Sequence, residues 1–79
     1  MIRTFFIKEE GKPEVEYSGS FSYGRLNALR DYARDHLPGW TVLSTGQLVA
    51  NQGGFVWWRA EAINADQTRG TRLWVKEPY

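Results

Sequence analysis

Four groups of side chains in this sequence have types and spacings that could do chemistry, and each can be weighed on its neighbours. Ser44 and Thr45 offer hydroxyl nucleophiles, and the only histidine, His36, offers a base. A nucleophile–base pair needs a third group to orient the imidazole, and nothing in the sequence supplies one. His36 also falls late in a helical period, where an imidazolium beside the last carbonyls is an ordinary capping arrangement. Glu14 and Glu16 share one face of an alternating segment and could act as paired carboxylates, a spacing that equally describes a solvated strand face. Gly53-Gly54 is flexible enough for a phosphate loop, but no helix follows it to supply an N-terminus. There is no cysteine, hence no thiolate and no disulfide. The expectation is a protein that is not an enzyme and uses no metal or cofactor.

The remaining chemistry is aromatic and cationic. Residues 55–62 read FVWWRAEA and residues 71–77 read TRLWVKE, so tryptophans are interleaved with arginine and lysine. Trp and Arg dominate binding hot spots. Successive strand side chains point to opposite faces, so only one of the adjacent Trp57 and Trp58 can face a core.

The elements that must position these residues follow from periodicity. Residues 2–9 read as a strand closed by the turn Glu10-Gly11-Lys12-Pro13, and EVEYSGSF alternates Val15, Tyr17, Gly19 and Phe21 against polar residues. From Ser22, Leu26, Leu29, Ala33 and Leu37 recur at helical spacing, with Ser22 as cap and Pro38-Gly39 as stop. Trp40–Thr45 reads as a strand with a bend or bulge at Gly46, continued by Leu48–Ala50. After the hairpin turn 51–54 come a long strand at Phe55–Ile63, an Asx-type turn at Asn64–Thr68 and a last strand at Arg69–Lys76. The order ββαβββ predicts an α+β fold in one domain spanning 1–79, a single helix packed on a small antiparallel sheet.

In the last strand, Leu73 and Val75 must share a face opposite Arg72, Trp74 and Lys76. Pairing with 55–63 through a turn near Asp66-Gln67 sets Ala60 against Leu73 and Trp58 against Val75. On the reverse face Glu61 meets Arg72, Arg59 meets Trp74 and Trp57 meets Lys76. A slip of one residue breaks both matches, so this register is expected. Val56, Trp58, Ala60, Ala62, Leu73 and Val75 are then expected under the helix. Trp57, Arg59, Arg72, Trp74 and Lys76 are expected on the uncovered face, as the candidate partner-binding surface. Cation–π and cross-strand pairs could simply tile that face, a homodimer could bury it, or it could recognise another macromolecule.

Charge narrows the partners. Ten basic against nine acidic residues leave about +1, too little for a strong polyanion binder and unlike an acidic nucleic-acid mimic. A stacking platform for bases remains the alternative, although the helix interleaves Arg25, Arg30 and Arg34 with Asp31 and Asp35. The opening MIRTFFIKEE does not read as a signal peptide, and no run approaches the ~20 apolar residues of a membrane span. A cytoplasmic, non-membrane protein is expected.

The succession of "FFIKEE", a polar hairpin, the helix "SYGRLNALRDYARDHL" and a closing meander with "GFVWWRAEA" and "TRLWVKE" resembles the small phage-encoded anti-CRISPR proteins, across the whole chain in element order. The resemblance implies non-catalytic inhibition, with a protein partner such as a CRISPR–Cas effector subunit whose access to target DNA is blocked. The near-neutral charge implies steric binding rather than DNA mimicry.

Overall fold

The computed structural model describes residues 2–44 and 47–78. It contains β1 (Arg3–Glu9), β2 (Val15–Gly19), α1 (Arg25–His36), β3 (Thr41–Val42), β4 (Gln47–Gln52), β5 (Phe55–Ile63) and β6 (Gly70–Pro78). All pairings are antiparallel, in the order β2-β1-β6-β5, with β3 and β4 sharing the outer edge of β5. The fold is α+β, one helix on one face of an antiparallel sheet.

The register of the two longest strands is the one that the alternation requires. Trp57 lies opposite Lys76, Trp58 opposite Val75, Arg59 opposite Trp74, Ala60 opposite Leu73 and Glu61 opposite Arg72. Turn chemistry closes the hairpin at each end of β5. Gly53 and Gly54 both have positive φ, which suits a two-residue hairpin between Gln52 and Phe55. At the other end of β5 the Asn64 side-chain oxygen accepts the Thr68 and Arg69 backbone N–H groups at 2.9 and 3.0 Å.

The core is Phe5 and Ile7 of β1, Ala28, Leu29, Tyr32 and Ala33 of α1, Leu37, and Ala60, Ala62, Leu73 and Val75 of β5 and β6. The helix is shorter than predicted. It begins at Arg25 rather than Ser22, because Ser22 lies in a turn where its hydroxyl pairs with Ser20 at 3.1 Å and the Tyr23 N–H donates to the Ser20 carbonyl. Its first turn is held instead by Asn27, whose side-chain oxygen accepts the Gly24 N–H at 2.8 Å. The apolar stripe also includes Tyr32 and Ala28, and Leu26 is only half-buried.

Three tyrosine–carboxylate hydrogen bonds tie the helix to the segments before it. Tyr32 reaches from the helix to the buried Glu9 of β1 at 2.9 Å, which supplies a partner for a carboxylate that would otherwise be costly to enclose. Tyr17 of β2 reaches back to Asp35 at 2.9 Å, and Tyr23 to Asp31 at 2.5 Å. Burial, then the hydrogen bond to a carboxylate, raises the phenol pKa of all three above its ordinary value, that of Tyr17 to about 12. Asp35 titrates below the usual range because Arg34, and then Tyr17, hydrogen-bond its charged form.

Three further expectations change. Phe21 does not extend the inner face of β2 and is 76 % exposed, since the strand ends at Gly19 and the following turn brings in Tyr23, tilted against Phe5 with ring centroids 6.0 Å apart. The predicted strand from Trp40 is regular only at Thr41–Val42, and Thr45 and Gly46 lie outside the described residues. A bulge does interrupt the edge, but between Leu48 and Ala50.

Candidate functional site

A single helix covers one side of the sheet, so the other side is open. Cross-strand register arranges it in rows. One row runs Glu16, Phe6, Lys76, Trp57, Ala50; the next runs Lys8, Trp74, Arg59, Gln47; beyond it Arg72 faces Glu61. The five predicted face residues, Trp57, Arg59, Arg72, Trp74 and Lys76, are therefore brought together, all half-buried except the exposed Arg72.

Of the cation–π tiling that was one reading of this face, only part is present among the described residues. Arg59 and Arg72 make no cation–π contact or ion pair among the described residues. The open-face cation that meets rings is Lys76, whose ammonium lies 4.5 Å from the Phe55 ring centroid, 5.0 Å from Phe6 and 5.4 Å from Trp57. Glu14 closes this cage with an ion pair at 3.0 Å, and only 18 % of the Lys76 side chain is exposed. Phe6 and Phe55 meet edge to face at 6.2 Å. Lys76 is thus committed within the molecule, and Glu14 is its counter-ion rather than a solvated strand residue.

Trp57 belongs to this cluster. Its indole Nε1 is enclosed and has no acceptor among the described residues, so Trp57 serves as an apolar plate. Beside it, Lys8, Trp57 and Trp74 line an open groove of about 350 Å³. Lys8, Phe6 and Phe55 are not marked as site residues by the sequence, and Glu14 is marked there only as a carboxylate paired with Glu16. The signal for Lys8 and Phe6 was the alternation of FFIKE, which places them opposite the buried Phe5 and Ile7, but their neighbours depend on β1 pairing with β6 across 65 or more residues of chain.

Trp58 lies on the helix side, as the register demands, yet it is half-buried at the margin of the core, and Val56, expected under the helix, is half-buried and does not pack on that core. The Arg25 guanidinium covers its ring at 3.6 Å, and its Nε1 donates to Glu77 at 3.1 Å, a carboxylate that also meets Arg3 and Arg25 at 3.5 and 3.8 Å. The helix starts too late to cover this indole with apolar side chains, so a cation covers it. The doubled tryptophan is divided between two cation-lined sites on opposite faces.

The other chemical candidates remain separate. The exposed His36 stacks on Tyr32 with centroids 4.5 Å apart, extending the helix–sheet contact. Ser44 is exposed near Gln47, Arg59 and Glu61, and Thr45 lies outside the described residues. No group of three or more His, Cys, Asp and Glu suited to a metal ion occurs among the described residues. No described helix is long and apolar enough to cross a membrane. No protein-family model matches the chain, and neither a curated protein nor a solved structure matches it.

Proposed function

We propose that this protein is a non-catalytic binding module that engages a protein partner through its open sheet face. The observation that carries the reading is the pairing of Trp57 and Trp74 around an open groove, on the side of the sheet that the helix leaves bare. Trp74, Arg59 and Arg72 are the contact residues, and the cage of Lys76, Phe6, Phe55 and Glu14 holds Trp57 in place as their floor. A rigid strand platform of aromatic and Arg side chains is what hot spots are made of.

The more specific form is a phage-type inhibitor that occupies a CRISPR–Cas effector and keeps target DNA out, supported by the size and by the succession ββαβββ. Expression in bacteria whose CRISPR system targets a challenging phage tests it. Wild-type protein restores plaque formation, and Trp74→Ala does not. The competing reading is a nucleic-acid platform on the same face. Anisotropy titrations with labelled single-stranded DNA and RNA at low and high salt separate the two: tight binding that weakens steeply with salt, without restored plaques, would replace the protein-binding reading.

A further inference from the structure

We infer that the partner presents an acidic segment, two carboxylates flanking an apolar side chain, and that it docks across the row Lys8–Trp74–Arg59. The inference rests on the protein-binding reading above and specifies the partner's chemistry.

The charge pattern of the open face carries it. In the row of Lys76, the ammonium is neutralised by Glu14, and Glu16 adds a negative charge beyond Phe6. On the other side Arg72 lies opposite Glu61, with Glu10 alongside through its backbone hydrogen bond to the Arg72 carbonyl. Both flanking rows are therefore net negative. Between them, Lys8 and Arg59 stand on either side of Trp74, with no carboxylate within 4.0 Å among the described residues. Neighbouring strands are about 4.8 Å apart, so the two cations arise from positions about 10 Å apart.

This narrow positive stripe with an indole at its centre selects its ligand. A nucleic-acid strand carries a phosphate at every nucleotide, and the stripe offers it only two cations, with an acidic row along each side. A second copy of the chain, meeting face to face, would oppose two such stripes with like charge. An extended peptide segment with acidic residues at alternate positions around an apolar one fits the span, because residues two apart share a face and four residues extend about 13 Å. The apolar side chain then enters the groove lined by Trp74, Trp57 and Lys8.

The test uses ¹⁵N-labelled full-length protein and two synthetic peptides, Glu-Ala-Leu-Ala-Glu and Lys-Ala-Leu-Ala-Lys, capped at both ends, with oligothymidylate as a third probe. At millimolar concentration and low salt the glutamate peptide shifts the Trp74 indole resonance and the lysine peptide does not. Lys8→Glu with Arg59→Glu weakens the glutamate peptide at least tenfold and brings in the lysine peptide. Arg30→Glu with Arg69→Glu, an equal change of net charge away from this row, leaves the response unchanged. No shift with the glutamate peptide, an equal loss in both double variants, or tighter binding of oligothymidylate overturns the inference. Restored plaque formation with no peptide response would leave the protein-binding reading standing and refute only the acidic segment.

Discussion

Replacing Lys76 by Met tests whether this lysine is a structural post or a contact residue. Methionine keeps most of the stem that packs between the rings and removes the charge. The ammonium is shared by the rings of Phe6, Phe55 and Trp57 at 4.5 to 5.4 Å, and such contacts contribute about 0.5–1 kcal/mol at partly exposed sites without adding fully. The Glu14 partner is 36 % exposed, so solvent screening leaves its ion pair at a few tenths to about 1 kcal/mol. Together Lys76→Met should cost about 1–2 kcal/mol. Lys76→Ala also removes methylenes worth about 0.8 kcal/mol each when buried, and should cost about 3 kcal/mol or more. Urea unfolding followed by tryptophan fluorescence reads the loss directly: with a slope near 1 kcal/mol/M, the midpoint for Lys76→Met falls by about 1–2 M. High salt should narrow the gap between wild type and Lys76→Met, and Glu14→Gln should abolish that salt dependence. An unchanged midpoint in Lys76→Met, with no coupling to Glu14, would refute the cage and return Lys76 to the contact surface.

Two other perturbations follow from the helix side. A Cβ on Gly19 would lie 2.5 Å from Cγ of Tyr23, so Gly19→Ala must displace a ring that packs on Phe5 and holds Asp31; it should cost about 2–4 kcal/mol in chemical denaturation, and nothing in a Tyr23→Ala background. Equal cost in both backgrounds would place the strain elsewhere. The raised phenol pKa values of Tyr17, Tyr23 and Tyr32 mean that the folded state keeps these protons where the unfolded chain loses them. Their stabilisation is complete below pH ~10 and is lost as pH rises through the folded values, of which that of Tyr17 is about 12. Absorbance at the phenolate band should therefore rise late for three of the four tyrosines, together with loss of near-ultraviolet circular dichroism, and an ordinary titration of all four in the folded protein would contradict the hydrogen bonds.

Alternation and turn chemistry were local enough to determine most of the fold from the sequence. The pairing of β5 with β6 is dictated by Leu73 and Val75, because a one-residue slip would turn every apolar side chain to water. That same parity put Trp57, Arg59, Arg72, Trp74 and Lys76 on one face before any tertiary contact was known. What parity cannot supply is which strand lies beside β6 on its other edge. β1 takes that place, and it brings Phe6 to Lys76 and Lys8 to Trp74. That pairing joins the two ends of the chain, and its result is a division of labour invisible in the alternation: Lys76 is neutralised inside an aromatic cage while Lys8 and Arg59 keep their charge around Trp74. The helix starts later than its residue types predict for a related reason. Ser22 is a good cap by type, but the space beside Gly19 draws Tyr23 onto Phe5 and delays the helix to Arg25, leaving Trp58 to be covered by a guanidinium. Faces are a property of strand period and could be read from one segment at a time; neighbours across the sheet depend on long-range packing, and only the tertiary structure decided them.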